Sequence, residues 1–329
     1  MFVGDISLGE YYTSFGHGPR SFLDRSNVFE QVTSIFEKAD LVVGNLEASL
    51  SDIGLELNDP ESVVLRGKPE VAKLLYESGF RVLQVANNHT VQHGAECFNA
   101  TLDSLSSVGI DYIGVNNQKL VRHKIKNETV GFLAASDVPD NTYIEQQEYQ
   151  KLNDKFFENV IESVDLVDHL FVLLHWGLES STVPMDYQKK LIDKFYEYGV
   201  SGVIGSHPHL FYEIWKHENM VAAPSLGNFV FDLCWDNRLL SSGILEIDII
   251  GGELEARVWP VKIKENGCLP VPVDQPVPIL DSIKLYDNGS NMNGEQIRKL
   301  KYFFRNLLTG NTNLKLKFIF NKFYRKFTR

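Results

Sequence analysis

Five separated segments of the sequence end in side chains that can bind a metal ion or move a proton. Each segment is a short apolar run, and the polar residues stand at its end or directly after it. They are Asp5 in GDISLG, Asn45 and Glu47 in VVGNLE, Asn88 and His89 in VANNH, His175 in LLHWGLE, and His207 and His209 in GSHPH. Imidazole, carboxylate and amide groups suit Mn, Zn, Fe or Mg better than a thiolate-preferring metal. The set therefore indicates a divalent-metal centre.

The segment GSHPH places two imidazoles two residues apart, on either side of Pro208. In an extended loop, residues i and i+2 project to the same side. The proline restricts its own φ and the conformation of the residue before it. The spacing predicts that His207 and His209 are preorganised toward one centre, whereas the alternative is that they only fill space.

Alternating strand-like and helix-like segments predict the elements that position these residues. The strand-like runs are mostly apolar throughout, as in strands covered on both faces. They cover 39–45, 80–87, 110–115, 130–136, 169–175 and 199–205. Helical periodicity between them covers 27–38, 69–79, 95–108 and 186–198. This alternation predicts an α/β layered fold, in which ligands bind beyond the carboxyl ends of the strands.

The pattern changes after about residue 210, where alternating polar and apolar residues predict β-hairpins near 217–219 and at Gly251-Gly252. We expect these hairpins to form a second sheet packed on the first, within one domain covering 1–265. The remainder, 266–329, is predicted to be a proline-rich surface linker over 268–280, followed by a helix over 294–308 and a basic, aromatic helical tail.

Composition and cysteine count narrow the class of protein. The chain is 43% hydrophobic and 23% charged, as in ordinary globular proteins. Its three cysteines lack CxxC spacing, which argues against a disulfide framework or a cysteine zinc site and fits a reducing compartment. Since no signal peptide or membrane-spanning run is apparent, we expect a cytoplasmic protein, with peripheral membrane contact as a further option.

The charge is distributed unevenly along the chain. The net charge is −11, yet eight of the 32 basic residues and none of the 43 acidic ones lie in 301–329, so the remainder carries −19. A body this acidic repels nucleic acid, and no nucleic-acid partner is expected. The tail has an apolar helical face and separate basic residues, which suits contact with an anionic membrane; alternatively, that face packs on the body. The face comprises Leu316, Ile319, Phe320, Phe323 and Phe327, and the basic set Lys315, Lys322, Arg325, Lys326 and Arg329.

Seven motifs, in order, carry a resemblance to a known family. They are GDISLG, NLE, LRGKPEVAKLL, ANNH, LLHWGLE, GSHPH and SLGNFVFD, within residues 3–250. They resemble the CapA family of capsule-biosynthesis proteins, also described as poly-γ-glutamate synthesis proteins. That family is similar to calcineurin-like metallophosphoesterases. The resemblance implies a four-layer α/β sandwich, with two mixed sheets packed face to face, helices outside, and a metal centre at the strand ends.

The resemblance also implies a role for each residue of the site. His89 corresponds to the histidine that protonates a leaving group. Asn45, Arg66 and Asn228 are candidates for substrate binding or for support of the site; Arg66 either clamps a loop to a helix or meets an anionic substrate, and Asn228 fixes the loops. The metal-ligand candidates are Asp5, Glu47, Asn88, His175, His207 and His209.

Some positions depart from the phosphoesterase pattern or from the family. Ser7 and Asn45 stand where dimetal phosphoesterases carry histidine and aspartate, so the site is expected to hold one or two ions. Gln92 replaces an aspartate that usually follows the NNHT motif. The membrane anchor of many family members does not precede Asp5, which indicates either a cytoplasmic relative or a start internal to a longer reading frame.

These features favour a metal-dependent, hydrolase-like protein acting on an anionic polymer or a phosphoester. Its setting would be the biosynthesis of a capsular polymer, either poly-γ-glutamate or a polysaccharide. The alternative is a non-catalytic, polymer-binding or scaffold subunit of a capsule synthesis or export assembly. A nuclease acting through the basic tail is a weaker third class.

Overall fold

A computed structural model describes residues 1–10, 15–140, 148–289 and 294–327, with side chains up to residue 324. The strands are β1 (Phe2–Ile6), β2 (Val42–Leu46), β3 (Ser49–Leu50), β4 (Arg66–Gly67), β5 (Phe80–Gln84), β6 (Asp111–Ile113), β7 (Val121–Ile125), β8 (Glu128–Ser136), β9 (His169–His175), β10 (Gly202–Ser206), β11 (Ile214–His217), β12 (Met220–Ala223), β13 (Asn228–Val230), β14 (Ser241–Ile250), β15 (Glu253–Lys264), β16 (Leu269–Pro272), β17 (Val277–Pro278) and β18 (Ser282–Ile283). The helices are α1 (Pro19–Phe22), α2 (Thr33–Phe36), α3 (Val71–Glu77), α4 (Ala95–Val108), α5 (Asp154–Val164), α6 (Asp186–Glu197), α7 (Glu295–Arg305) and α8 (Thr312–Phe327).

Two large mixed sheets form the centre of the molecule. The first has the order β16-β15-β14-β1-β2-β5-β6, with β13 beside β1 and β17 beside β15. The second has the order β18-β11-β12-β10-β9-β8-β7. Strands β1, β2, β5 and β6 run parallel in the first sheet, as do β8, β9, β10 and β12 in the second. Antiparallel hairpins complete each sheet.

The buried apolar side chains define four layers. Phe2 and Val82 of the first sheet pack with Phe132 of the second in the space between the sheets. Val3, next to Phe2, points the other way, into a cluster with residues of α3 and α4, because successive strand side chains alternate between faces. The outer face of the second sheet, including Val172, packs against α5 and α6. The predicted four-layer α/β sandwich is confirmed.

The composition of the second sheet was predicted wrongly. The β14–β15 hairpin joins the first sheet, where Phe2 of β1 pairs with Leu245 of β14. Ile244 lies in the outer core and Leu245 in the core between the sheets. Both faces of β14 are thus buried beside β1. Only the second half of β14, away from β1, has the solvent-facing side expected from the alternation. The runs 130–136, 169–175 and 199–205 instead build the second sheet, together with the hairpin around 217–219.

The proline-rich segment 268–280 is not a surface linker. Its strands β16 and β17 both pair with β15, and β18, which follows, pairs with β11 of the other sheet. The segment therefore extends the first sheet and leads on to the second. Proline is tolerated there because an edge strand needs few of its N–H groups for pairing.

The predicted helices over 69–79, 95–108, 186–198 and 294–308 correspond to α3, α4, α6 and α7. The segment 27–38 is helical only over Thr33–Phe36 and otherwise consists of turns. Helix α5 was not predicted, although Phe156, Val160 and Ser163 are buried at helical spacing and the side chain of Asn153 caps its start.

The tail forms α8, but its orientation differs from the expected one. Lys315, one of the basic residues expected apart from the apolar face, is only 1% exposed. Its Nζ donates to the carbonyls of Asn306 and Thr309 at 2.5 Å each, which fastens α8 to the end of α7. Leu316 and Phe320 of the apolar face stay exposed. The side chains of 325–327 and residues 328–329 lie outside the described part. Among the described helices, none is long and apolar enough to span a membrane.

Candidate metal centre

The candidate site lies where strand ends from both sheets meet. Asp5 of β1 is in register with Asn45 of β2 and with Asn228 of β13. In the other sheet, His175 at the end of β9 pairs with Ser206 at the end of β10. A Cβ at Gly4 would lie 1.9 Å from the carbonyl oxygen of Gly227, so glycine there lets the loop before β13 approach β1. The predicted site residues are buried.

Glu47 lies at the centre of the cluster. Its Oε1 is 3.7 Å from His89 Nε2 and 3.9 Å from the Nε2 atoms of His175 and His209. These separations are too long for hydrogen bonds, and Oε1 accepts none within the described residues. Two ligands that share one ion at roughly 2.1 Å lie about 3–4 Å apart, so the spacing fits atoms that converge on a cation.

Asp5 orients His209. The Nδ1 of His209 lies 3.0 Å from Asp5 Oδ2 and 2.9 Å from Asn228 Oδ1. Burial opposes protonation of His209, but the hydrogen bond and the charge of Asp5 raise its pKa. With Nδ1–H donating to these oxygens, Nε2 is left facing Glu47. A carboxylate behind the ligand histidine is the usual support for a metal-binding imidazole.

His175 and His207 are held as neutral imidazoles. Burial, followed by the neighbouring histidines, moves the pKa of His175 well below its ordinary value. Burial and His209 lower the pKa of His207 to about 3. The Nε2 of His175 lies 2.8 Å from Asn88 Oδ1, and its Nδ1 lies 3.0 Å from Ser206 Oγ. Neutral imidazole is the form that binds metal ions.

The GSHPH loop is strained rather than extended. His207 has a φ of +96° and His209 a φ of +60°, a region that non-glycine residues seldom occupy. Each such residue costs about 1–3 kcal/mol and persists where the surroundings enforce it. The N–H of His207 points at Asp5 Oδ2, 3.4 Å away. The extended conformation was therefore predicted wrongly, although the two rings still lie close, with centroids 6.1 Å apart.

His89 is positioned by residues that sequence reasoning did not assign to the site. Its Nδ1 lies 2.7 Å from Gln92 Oε1, and its backbone N–H donates to Asn87 Oδ1. Burial lowers its pKa to about 4, although Gln92 acts in the opposite direction. The imidazole is therefore neutral at pH 7, with its proton directed to Gln92. The signal in the sequence that could have identified Gln92 is its position three residues after His89.

The structure distributes the predicted residues over two overlapping donor sets, Glu47–His207–His209 and Asp5–Glu47–His175. In each set the ligand atoms lie within 4.8 Å of one another. Asn88 lies beside them through its contact with His175. The assignment of these residues as ligands stays a prediction.

The three supporting candidates occupy different places. The Nδ2 of Asn45 donates to Asp5 Oδ1 at 2.9 Å and to Glu47 Oε2 at 3.2 Å, between the two carboxylates. The Nδ2 of Asn228 donates to the carbonyl of Leu239, so this side chain ties a loop to His209. Arg66 is only 2% exposed and donates to the carbonyls of Ser51, Ile53 and Ser62. These contacts favour a loop clamp for Arg66 rather than contact with a substrate.

The residues present fit a divalent cation. Within the described chain, Glu47 Oε1 and His207 Nδ1 are buried without a hydrogen-bond partner. Such orphaned acceptors are costly and rare in folded proteins. Burial and the charges of Asp5 and Glu179 also raise the pKa of Glu47 well above its usual range. A cation held by Glu47, His207 and His209 would satisfy Oε1 and stabilise the carboxylate.

Comparison with known proteins identifies the family. Residues 1–233 match the family described as "Bacterial capsule synthesis protein PGA_cap". The chain belongs to this family. It is 27% identical over 284 residues to the "PGA biosynthesis protein CapA" of Bacillus subtilis (strain 168), covering 83% of this chain and 73% of that protein. It is 27% identical over 288 residues to the "Capsule biosynthesis protein CapA" of Bacillus anthracis, covering 82% and 68%. The expected CapA family is confirmed.

The solved structures that this chain matches include two 5′-nucleotidases. One is a putative 5′-nucleotidase from Staphylococcus aureus in complex with alpha-ketoglutarate, at 11% identity and a TM-score of 0.44. The other is from Candida albicans SC5314, at 10% identity and a TM-score of 0.48. This chain spans 57% of the length of each.

Proposed function

We propose that this PGA_cap protein is a metal-dependent, hydrolase-like protein that acts on an anionic polymer or a phosphoester during capsular polymer biosynthesis. The observation that carries the proposal is the buried carboxylate oxygen of Glu47, which faces three imidazole Nε2 atoms at 3.7–3.9 Å. The names of the two CapA relatives support a capsular polymer such as poly-γ-glutamate as the setting.

Two groups of residues would hold one or two ions of Mn, Zn, Fe or Mg. Glu47, His207 and His209 form one group, and Asp5, Glu47 and His175 form the other. A bound ion would supply Lewis-acid polarisation of the scissile group and an activated water. The bond broken would be a phosphoester or, in a γ-linked polymer, an amide.

His89 would accept a proton and then donate it to the leaving group. Gln92 holds its Nδ1–H, so Nε2 is directed toward the cluster and accepts a proton first. Because the pKa of His89 is about 4 in the free protein, an anionic substrate beside Nε2 is needed to raise it. Once protonated, Nε2–H can donate to the leaving group as a general acid.

The partner of His89 is the neutral amide of Gln92. This favours a second candidate function, a non-catalytic polymer-binding or scaffold subunit. An aspartate at position 92 would stabilise the imidazolium by its charge, whereas the amide of Gln92 offers only a hydrogen bond. Ser7, buried near the site, likewise offers no imidazole as a further ligand. In this alternative the metal site would be structural.

The decisive experiment combines metal content with hydrolysis. The protein is purified without added metal, analysed for bound elements, and assayed on bis-p-nitrophenyl phosphate and on poly-γ-glutamate with and without chelator. His89→Gln should keep the metal and slow hydrolysis by about 10²–10⁴-fold. His93→Gln is the matched control, because His93 lies 2.6 Å from the carbonyl of Val64 and is not one of the clustered donors. Bound metal without turnover would support the scaffold, and absence of metal would overturn both readings of the site.

A further inference from the structure

The two C-terminal helices expose an unusual concentration of large apolar side chains. Within each helix they recur three or four residues apart, as on one helical face. Each is between 51% and 85% exposed. This C-terminal surface comprises Ile297, Leu300, Phe304 and Leu308 from α7 and the turn after it, and Leu316, Phe320, Phe323 and Tyr324 from α8.

The opposite faces of both helices are fixed to the body. Phe303 of α7 and Phe318 of α8 both contact the ring of Phe15, with centroids 6.1 and 5.8 Å apart. Tyr302 and Leu314 are buried. The exposed apolar side chains therefore belong to a docked element of the fold. Large exposed apolar surfaces on such elements mark interaction sites.

Positive charge accompanies this surface. After Glu295 the sequence contains no acidic residue. A cavity of about 270 Å³ lies between α7 and the end of β15 and is lined by the carboxylate of Glu265 and by three basic side chains, Lys264, Lys301 and Arg305, among other residues. These three side chains are exposed, and none forms an ion pair with any described residue. Since Lys301 and Arg305 share α7 with the exposed apolar residues, one helix presents both an apolar face and a cationic cavity.

We propose that the C-terminal surface docks on an anionic lipid bilayer, with lipid phosphates entering the cationic cavity. Interfacial helices combine these two features, since apolar side chains enter the headgroup boundary while lysine and arginine attract anionic lipids. The body carries −19 without residues 301–329 and is repelled by the same membrane. The charge distribution therefore favours one orientation, with α7 and α8 toward the lipid.

Vesicle co-sedimentation of the full chain tests this proposal. Vesicles of phosphatidylcholine containing phosphatidylglycerol should bind the protein, vesicles of phosphatidylcholine alone should bind it much more weakly, and high salt should release it. Lys301→Gln combined with Arg305→Gln should weaken binding about 25-fold, since each basic residue near an anionic surface contributes about fivefold. The matched charge control is Lys189→Gln with Lys190→Gln, on exposed positions of α6.

A second pair of variants tests the apolar contribution. Leu308→Ser with Phe320→Ser should weaken vesicle binding more than tenfold, because two large side chains no longer enter the lipid. Leu280→Ser is the control, since Leu280 is 79% exposed and lies away from α7 and α8 in the sequence. Both variant pairs change exposed side chains, and circular dichroism checks that the fold is kept.

Four results would overturn the proposal. The first is equal binding to both kinds of vesicle, and the second is unchanged binding by both variant pairs. The third is a dimer in analytical ultracentrifugation that Leu308→Ser with Phe320→Ser disrupts, without vesicle binding; a second copy would then cover the surface. The fourth is binding of an oligonucleotide or inorganic phosphate in place of vesicles, which would identify a polyanion or phosphate site.

Discussion

Glu47→Gln separates the charge of the central carboxylate from its shape. Glu47 is 0% exposed, and its Oε2 accepts from Asn45 while Oε1 accepts no hydrogen bond in the described structure. Because burial and Asp5 raise the pKa of Glu47, its carboxyl tends to hold a proton when no metal is bound. Glutamine mimics that protonated form. We therefore expect the free energy of unfolding of the metal-free protein to change by less than about 1 kcal/mol.

Glu10→Gln is the matched control. Glu10 is also buried, but its carboxylate accepts from the backbone N–H groups of Gly16 and Ser21 and from the Ser21 hydroxyl. Hydrogen bonds to a charged group contribute about 1.5–3 kcal/mol, so this variant should lose about 2 kcal/mol of stability. Its metal binding should be unchanged, since Glu10 belongs to neither donor set.

When metal is present, the two variants should differ in the opposite direction, with Glu47→Gln as the one that loses the effect of the metal. Glu47 belongs to both donor sets, so Glu47→Gln should abolish binding to each. At free metal equal to 100 times Kd, the parent gains about 2.7 kcal/mol. For a chain of 329 residues, with an unfolding entropy of about 2.1 cal/mol/K per residue, that gain corresponds to a rise in Tm of about 4 °C. Scanning calorimetry with and without Mn²⁺ or Zn²⁺, together with elemental analysis, measures both quantities.

The pH dependence follows from the direction of the shift. A carboxyl pKa raised in the folded state means that the metal-free parent loses stability as pH rises above about 4.5, until Glu47 is ionised. Glu47→Gln should lack this loss. Metal binding must displace the proton, so metal affinity of the parent should rise with pH. Metal retained by Glu47→Gln, or a metal-free destabilisation equal to that of Glu10→Gln, would refute the reasoning and leave Glu47 as a structural carboxylate.

Three further predictions address other parts of the structure. Gln92→Asp should raise the pKa of His89 from about 4 and shift the alkaline limb of the rate–pH profile, where the general acid loses its proton, to higher pH; an unmoved profile would exclude Gln92 as its positioning partner. Burial and Lys315 lower the pKa of His17, so the folded state resists protonation of this side chain and loses stability below pH 6.5. His17→Asn should lessen that loss, which chemical denaturation at pH 5 and pH 8 measures. Equal pH dependence of stability in parent and variant would contradict this prediction. Arg66→Lys should lower the free energy of unfolding by about 2–3 kcal/mol at unchanged metal content, because a lysine cannot donate to the carbonyls of Ser51, Ile53 and Ser62 together. A loss of hydrolysis at unchanged stability would instead place Arg66 at the substrate.

Local sequence pattern was sufficient to predict the layered fold and to name residues that the structure brings together at the candidate site. Strands buried on both faces must be apolar throughout, so 130–136 and 169–175 were recognisable as strands without knowledge of their partners. Polar residues at the ends of such runs break the pattern, and the cost of burying them there indicates a function. His175, His207 and Glu47 were recognisable on that ground, and the structure brings them within a few ångströms of one another.

The tertiary structure decided which strands pair and which atoms remain unpaired. Alternation in β14 and β15 is the same whether the hairpin joins one sheet or the other, and only the pairing of Phe2 with Leu245 settles it. Hydrogen bonding distinguishes Asp5, whose oxygens bond to Asn45 and His209, from Glu47, whose Oε1 remains free in the described structure. These partners lie 40 to 204 positions apart in the chain. Side-chain type and periodicity are local properties, whereas pairing, burial and pKa depend on neighbours that only folding brings into contact.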